Sequence, residues 1–401
     1  MNVFESALST SEALAAFSAR GVVAAMLRFE AALAQAQADE GLVPQAAARS
    51  IVDSCRVELF DVEKIVRDSS RAGSVAIPLI KALREAVGLF NPEAVVWTHF
   101  GSTSQDAIDT ALVLATRDAL DLVETDLARS IQALLALAER HAGTPMLART
   151  LMQPASVTSL GFKCLDWVAP LVRGRARLRQ AAQQALQLQL GGGVGTLAQM
   201  QADAQRTAAV RARVAAALGL RDAGGAWHTQ RDDWVALGCA LGLVSGSLGK
   251  LAADLSLLGQ HEVGEVMEPA EAGRGSSSVM PHKRNPVASM VALAAAQRVP
   301  QRVAGLLAGM VQQHERALGP WQAELAEWPA LWMAAHGGLR ALAMALPGLR
   351  VDTARMQANI DSVCAELPAQ TVQEWFAPAL AEAAGAQARQ RLAELRRVLA
   401  D

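Results

Sequence analysis

Apolar residues recur along this chain at three- and four-residue steps, the spacing that places them on one face of an α-helix. The clearest run, 112–138, stops at His141-Ala142-Gly143 and predicts a helix longer than the globular mean. A second run, 22–33, predicts a helix that ends near Glu40-Gly41. Further runs of helical period cover residues 173–190, 287–310 and 331–346. No stretch alternates with a period of two, so the pattern predicts an all-α bundle of long helices.

Two local patterns refine this prediction. Ser9-Thr10-Ser11-Glu12 fits a capping box, with Ser9 as the N-cap of the first helix and Glu12 three residues later. The longest uncharged apolar stretch, Trp234–Gly249, falls short of the roughly 20 residues that span a bilayer. It is therefore predicted to be a buried helix of the bundle, and no membrane association is expected.

Composition and charge limit the class of protein. Hydrophobic residues make up 52% of the chain and charged residues 19%, which excludes general disorder. The net charge of -2 excludes a surface that binds nucleic acid over its whole extent, but it permits a local basic site. The four cysteines are far apart and form no C-x-x-C pair, and the N-terminus lacks a basic and an apolar leader region. These features predict a cytoplasmic protein without disulfides.

Three polar islands rich in Gly, Ser, Thr and Pro interrupt the helical pattern. They cover residues 99–106, 149–154 and 273–286. Irregular backbone offers free N–H groups, so ligands are often held at such positions in helical proteins. Because the islands are far apart in sequence, they can share one site only if long helices, or neighbouring subunits, bring them together.

Two other patterns are weaker. The glycine run 191–195 follows a helix, whereas a dinucleotide-binding fingerprint follows a strand, so we expect a helix C-cap there. His261, Glu262 and Glu265 stand at helical spacing, but the chain has no H-E-x-x-H and no histidine pair with ligand spacing. We interpret them as a solvated helix face and expect neither a metal nor a cofactor.

The third island, 273–286, carries the strongest chemical signal. Its small residues allow close backbone approach to a ligand, and successive N–H groups in a Gly/Ser turn can bind an anion. His282, Lys283 and Arg284 place positive charge beside three serine hydroxyls. A hydroxyl transfers protons well only when cations and N–H donors stabilise its oxyanion, and this loop supplies both.

This loop resembles the signature G-S-S-x-M-P-x-K-x-N of the fumarase/aspartase superfamily, with Ser277 and Ser278 as the paired serines and Ser276 in place of the glycine. Residues 102–106 resemble the family's T-S-x-D segment, and residues 149–153 resemble its G-R-T-H-x-Q segment. Two further segments most resemble those of the bacterial 3-carboxy-cis,cis-muconate cycloisomerases. They are Trp227-His228-Thr229-Gln230-Arg231-Asp232 and His314-Glu315-Arg316-Ala317-Leu318-Gly319.

The resemblance implies a fold and an assembly. Family members form a twenty-helix core in a homotetramer, and each active site draws on three subunits. The implied domains are an N-terminal helical domain (1–100), a central long-helix domain (101–345) that carries loop 273–286, and a shortened C-terminal domain (346–401). The match fades beyond residue 360, so the cover that this last domain gives to the cleft is in question.

The resemblance also implies an activity. An internal carboxylate of 3-carboxy-cis,cis-muconate would add to a double bond and close a lactone, in the protocatechuate (β-ketoadipate) branch of aromatic degradation. Ser277 matches the family's catalytic serine and would transfer the proton at the α-carbon. The residues expected to bind the small polycarboxylate are Thr103, Ser104, Arg149, Thr150, Gln153, Arg231, Lys283, Asn285 and Arg316.

Leu151 is the informative departure, because many lyases of the superfamily carry a histidine there as the acid for the leaving group. A carboxylate nucleophile needs no such acid, so leucine favours the cycloisomerase over an adenylosuccinate- or argininosuccinate-type lyase. A sulfonated muconate as the substrate is an open alternative. A helical assembly protein without turnover is an alternative of a different class.

Overall fold

The computed structural model describes residues 3–271 and 273–400, and helices dominate this part of the chain. The helices are α1 (Val3–Ala7), α2 (Ser11–Ala16), α3 (Ala19–Asp39), α4 (Gln45–Ser54), α5 (Val62–Ala72), α6 (Ala76–Phe90), α7 (Ser104–Arg140), α8 (Leu160–Ala185), α9 (Ala204–Leu218), α10 (Asp232–Leu258), α11 (Val287–Ala308), α12 (Pro320–Ala345), α13 (Thr353–Ala365), α14 (Ala369–Trp375) and α15 (Pro378–Ala400). Two antiparallel pairs join β1 (Pro145–Thr150) to β2 (Gln153–Ser159) and β3 (Val266–Met267) to β4 (Arg350–Val351). Single 3-10 turns lie at Val57–Leu59, Pro92–Trp97, Ala198–Met200 and Leu346–Gly348.

Five long helices, α7, α8, α10, α11 and α12, pack side by side and form the body of the molecule. Small residues bring their axes close together. A side chain added at Gly338 of α12 would place its Cβ 2.6 Å from that of Ala295 on α11. Gly242 lies against Val303 and Gly249 against Ala296, so α10 and α11 run in opposite directions. The alanine- and glycine-rich composition is therefore what this close packing requires.

The helices predicted from the apolar period are confirmed, with some differences in their ends. The run 22–33 lies in α3 and the run 112–138 in α7, which ends at Arg140. The run predicted over 173–190 belongs to α8, which begins at Leu160 and ends at Ala185. Beyond that end the chain is extended and buried, and Leu188 N donates to the carbonyl of Arg221 at 2.9 Å. Its apolar residues face the core without being helical.

The helix predicted to begin at Ser9 is α2 and not the first helix, because α1 precedes it, and its cap is a different residue from the one predicted. Thr10, not Ser9, is the N-cap, and its hydroxyl accepts a hydrogen bond from Ala13 N at 3.2 Å. The Ser9 hydroxyl instead donates to the carbonyl of Met333 at 3.2 Å. Both residues can cap a helix, and the contact with α12 decides between them.

The uncharged stretch Trp234–Gly249, which the sequence suggested was too short to span a membrane, is only part of α10. By length and apolarity the 27 residues of this helix could cross a membrane, but 61% of its most apolar window is buried inside the protein. It packs against α8, α11 and α12. The prediction of a buried bundle helix is confirmed by these contacts, although the length argument was wrong.

The β1–β2 hairpin is the main departure from an all-helical chain. It directly follows α7, and its turn residues Leu151 and Met152 have positive φ angles of 49° and 67°. The hydrophobic pattern does not predict this hairpin, because the buried apolar residues Met146 and Leu147 are adjacent rather than alternating. Around it, α13, α14 and α15 form a small apolar cluster of Leu147, Val157, Ile360, Phe376 and Ala381. The division of the chain into three domains stays a prediction.

Candidate active site

The first island is held against the segment that precedes α12. Thr103 N donates to the carboxylate of Asp106 at 3.0 Å, which fixes the start of α7. The Thr103 hydroxyl accepts a hydrogen bond from Arg316 Nη1 at 2.6 Å, and Arg316 Nε donates to the Gln105 side chain at 3.3 Å. Ser104, the first residue of α7, lies beside them. The structure thus brings Thr103, Ser104 and Arg316 together.

Asp106, the acid of this island, organises the buried polar contacts behind it. Its carboxylate accepts hydrogen bonds from Gly191 N at 3.0 Å and Gly192 N at 2.8 Å, and it lies 2.7 Å from His228 Nε2. Gly192 has a φ of 68°, and a Cβ there would lie 2.7 Å from the Gly101 carbonyl oxygen. The prediction of a helix C-cap at 191–195 is wrong, because α8 ends at Ala185 and the run is a loop whose first two glycines are buried against Asp106.

Arg231 lies in the core and not at the polar surface of the site. Its side chain is fully buried, it donates to Asp109 at 2.9 Å and to both oxygens of Glu324, and it lies 4.4 Å from the centre of the Trp227 ring. Burial by itself lowers the pKa of Arg231, but the two carboxylates outweigh it and raise that pKa. Burial likewise raises the pKa of Glu324 despite the arginine. This placement does not support the prediction that Arg231 contacts substrate.

The second island is the β1–β2 hairpin. Arg149 forms two hydrogen bonds with the buried Glu265, at 2.8 and 3.0 Å, so its guanidinium anchors the hairpin. Thr150, Leu151 and Gln153 lie exposed at the tip. Leu151 is 96% exposed in the single chain, an unusual position for a large apolar side chain.

The signature loop 273–286 is closed at its base by backbone contacts. Asn285 N donates to the Gly275 carbonyl at 2.8 Å, and Ser276 pairs with Arg284. Gly275 has a φ of 70°, and a Cβ there would collide with the Asn285 carbonyl oxygen, so only glycine fits. Glu268 fixes the outgoing leg by accepting hydrogen bonds from Ala288 N at 2.9 Å and Ser289 N at 2.8 Å. The sequence offered no motif that would have identified Glu268.

Inside this loop the Ser277 hydroxyl oxygen faces backbone donors. It accepts hydrogen bonds from Met280 N at 3.0 Å and from Val279 N at 3.3 Å. N–H groups in this position stabilise negative charge on the oxygen. These donors favour the oxyanion of Ser277 over that of a hydroxyl without such contacts.

Cations surround the outgoing leg of the loop. A cleft of about 780 Å³ is lined by His282, Lys283, Arg284 and Asn285, together with Arg274 and Arg350. His261 also lines it, and it lies in the turn that follows α10. The interpretation of residues 261–265 as a solvated helix face is therefore wrong. Among residues 3–271 and 273–400, no group of three His, Cys, Asp or Glu side chains could hold a metal ion.

These groups lie at two opposite ends of the bundle. Thr103 and Arg316 lie at the start of α7 and α12, respectively. The signature loop contacts the far end of α12, where Arg274 donates to the Ala341 carbonyl at 3.3 Å. At 1.5 Å per residue, Pro320 and Ala341 are about 30 Å apart along the helix. The hairpin lies at the same end as the loop, so one chain brings the second and third islands near each other but not the first.

Comparison with known proteins places the chain in a family. A family model described as lyase matches residues 6–301. The 3-carboxy-cis,cis-muconate cycloisomerase of Pseudomonas aeruginosa is 47% identical over 89% of this chain and 77% of its own length. The crystal structure of the 3-carboxy-cis,cis-muconate lactonizing enzyme from Pseudomonas putida matches with a TM-score of 0.84 and 39% identity, over 100% of this chain and 90% of the other. The nitrosuccinate lyase of Streptomyces davaonensis is 38% identical over 92% of this chain and 79% of its own length. The chain therefore belongs to the lyase family of the fumarase/aspartase superfamily and is similar to its bacterial 3-carboxy-cis,cis-muconate cycloisomerases.

Proposed function

We propose that this protein is an isomerase that converts 3-carboxy-cis,cis-muconate to its carboxymuconolactone. The observation that carries the proposal is the signature loop, which holds the Ser277 oxygen on two N–H donors beside a cationic cleft. The similarity of this chain to the cycloisomerase of Pseudomonas aeruginosa, at 47% identity, supports the same substrate.

The reaction needs a proton donor and anion-binding groups. One carboxylate of the substrate attacks a carbon of the conjugated double bond, and the electron pair moves onto the neighbouring carboxylate to give an enediolate. The α-carbon then takes a proton and the lactone remains. Three carboxylates become two and a neutral ester, so each turnover consumes one proton at neutral pH. In the proposed mechanism Ser277 delivers the proton, and the loop N–H groups stabilise the oxyanion that is left.

The substrate-binding groups divide between the two ends of the bundle. Lys283 and Asn285 would bind carboxylates at the loop, and Thr150 and Gln153 at the hairpin tip. Thr103, Ser104 and Arg316 would supply the same function from the other end. Arg149 would contribute less to substrate binding, because its positive charge is already paired with Glu265. We leave Arg231 out, because its charge is used inside the core.

The hairpin tip also bears on the type of reaction. Leu151 is exposed beside Thr150 and cannot transfer a proton to a leaving group. Lactone closure breaks no bond to an amine or a hydroxyl, so it needs no acid at this position. A lyase that expels such a group would need one, and this difference favours the cycloisomerase.

A homotetramer would bring the two ends together. The exposed face of α11 is nearly free of charge, since its two arginines pair with Glu5 and Glu327 within the chain. Met290 is 56% exposed on α11, and Leu243 is 58% exposed on α10. An exposed apolar face along helices of this length is typical of an interface between copies. Five long helices from each of four copies would form the twenty-helix core implied by the sequence.

Purified protein mixed with 3-carboxy-cis,cis-muconate tests the activity. The ultraviolet absorbance of the diene should disappear while a pH-stat records the uptake of one proton per lactone formed. A tenfold preference for a sulfonated muconate would assign a different substrate to the same site. If neither diene is consumed while a known cycloisomerase works in the same assay, the proposed activity is wrong.

Replacing Lys283 with methionine should raise KM for the substrate by about tenfold to a hundredfold and change kcat much less, because a charge-assisted contact to a carboxylate is lost. Steady-state kinetics measures both constants. Lys64→Met is the matched control, because Lys64 is an exposed lysine on α5 that pairs with Asp68. An unchanged KM in Lys283→Met would contradict the binding role.

Mixing two inactive variants tests whether the site is shared. Ser277→Ala disables the loop end of a chain, and Arg316→Met disables the other end. If one active site takes its loop and its Arg316 from different chains, about a quarter of the sites in a randomly reassembled mixture contain both intact residues. The mixture should then recover about a quarter of the wild-type activity.

The matched control mixes Ser277→Ala with Lys283→Met, which alter the same loop. No site in that mixture regains an intact loop, so its activity should stay at the mean of the two variants. Sedimentation should show a tetramer in both cases. No gain in the first mixture, or a monomer at micromolar concentration, would contradict the shared site.

A further inference from the structure

A polar pair at the start of the first island, His99 and Glu30, has no part in the mechanism described so far. His99 Nδ1 lies 2.7 Å from an oxygen of Glu30 on α3. His99 has a φ of 64°, in the left-handed region that few residues other than glycine adopt. The backbone there is held in a costly conformation that keeps the imidazole against Glu30, and strain of this kind often occurs at functional positions.

Glu30 is a buried acid whose hydrogen-bond partner is this imidazole. Its side chain is 1% exposed, and its Oε2 has no hydrogen-bond partner among the described residues. A buried carboxylate is stable as an anion only beside a positive charge, and His99 is the one group paired with it in the described part of the chain. The pair is thus arranged to hold His99 as an imidazolium.

The second nitrogen of His99 is not used in the contact with Glu30. Its Nε2 has no hydrogen-bond partner among the described residues, and the side chain is 12% exposed. His99 and Ser104 line one cleft of about 390 Å³, together with Lys81 and Arg84 of α6. Glu85 of α6 also lines this cleft, so its basic side chains outnumber its single carboxylate. The cleft includes Ser104, a residue already expected to bind substrate.

We propose that His99 binds a carboxylate of the substrate through Nε2, and that Glu30 is a positioning residue that orients and charges the imidazole. The identity of the ligand rests on the proposed function, whereas its chemical class, a polycarboxylate, follows from the cations that line the cleft. The site would then hold a second cation, beside Arg316, at its Thr103 end, opposite Lys283 at the loop end.

The charges around His99 set the pH dependence. Burial by itself lowers the pKa of His99, but Glu30 outweighs burial, so the pKa lies above its ordinary value. Asp106 raises this pKa and Arg84 lowers it, both by smaller amounts. The other charged groups that line the cleft are Lys81 and Glu85. Because the charged imidazole is the form that binds, affinity should be full below this pKa and should decline as pH rises through it.

Two variants separate binding from folding. His99→Asn keeps a residue that tolerates the left-handed backbone, and it is made in a Glu30→Gln background so that no buried charge is left unpaired. KM should rise by about tenfold to a hundredfold, and its dependence on pH above neutrality should disappear. Glu30→Gln alone leaves the imidazole in place, so the decline in affinity should move to lower pH. A purely structural role for Glu30 would not move it.

An inert tricarboxylate, tricarballylate, makes this test independent of the proposed function. Its Kd is measured by calorimetry between pH 6 and 9 for the wild type, for the two variants and for the control His141→Gln, at a histidine that bonds to Thr144. Weaker binding in the double variant would support the site even if no muconate is converted. Wild-type affinity and pH dependence in both variants, with muconate turnover intact, would overturn this inference alone. Absence of binding and of turnover in the wild type would overturn both proposals.

Discussion

Ser277→Ala is expected to lower kcat by about a hundredfold to ten-thousandfold while KM changes little, the range found when a proton-transferring group is removed. The hydroxyl is the group of the loop that accepts hydrogen bonds from two N–H donors, at 3.0 and 3.3 Å. Alanine cannot deliver a proton, but it leaves Lys283 and Asn285 in place to bind carboxylates. Decay of the diene absorbance under saturating substrate measures kcat.

Ser278→Ala provides the matched control. Ser278 is the next hydroxyl in the same exposed loop, and no hydrogen bond between it and the N–H groups of Val279 and Met280 occurs in the described residues. It should retain much more activity than Ser277→Ala. If Ser277→Ala works within about threefold of the wild type, the proton at the α-carbon comes from another group.

Arg231→Met is expected to destabilise the folded protein by about 3–5 kcal/mol, because it leaves the carboxylates of Asp109 and Glu324 buried without a cation. All three side chains are almost fully buried. Urea-induced unfolding at a fixed protein concentration measures the loss. Arg179→Met is the control, because Arg179 is 55% exposed in its ion pair with Glu124. This substitution should lower the free energy of unfolding by less than about 1 kcal/mol.

The loss in Arg231→Met should depend on pH in a defined direction. Without the arginine, burial raises the pKa of the remaining Glu324 carboxyl above its value in the unfolded chain. A group whose pKa is raised on folding costs stability as pH rises through that folded pKa, so the variant should be less impaired at about pH 5 than at about pH 8. Arg231→Met combined with Glu324→Gln should recover part of the loss. Equal stability at both pH values, with no recovery, would show that Arg231 is not the counter-charge of this core.

Arg231 and Arg316 look equivalent in the sequence, but they have different partners in the structure. The segment that contains Arg231, residues 227–232, resembles the family sequence as strongly as the segment that contains Arg316, residues 314–319. Arg316 reaches the first island through the Thr103 hydroxyl, whereas Arg231 neutralises two acids in the core. A motif shows that a residue type is required at a position, but the requirement can come from the fold as well as from the substrate.

Much of the fold could be predicted from the sequence. The apolar period identified α3 and α7 because each helix buries one face along its whole length, and that face repeats at a fixed spacing. The loop 273–286 could be identified because its chemistry is local. Its donors, hydroxyls and cations are all neighbours in the chain, and Gly275 is dictated by the backbone of the loop itself.

The remaining features depended on contacts between distant residues. The N-cap at Thr10 rather than Ser9 depended on α12, and the buried glycine loop depended on Asp106. Glu30 is 69 residues from His99, so no local pattern could pair them. The sequence by itself determined the helices, the family and the chemistry of the loop, because each of these is encoded in neighbouring residues. Only the tertiary structure decided that Arg231 is a core residue, that His99 is held by Glu30, and that the islands lie at opposite ends, because rigid helices about 30 Å and longer fix those distances.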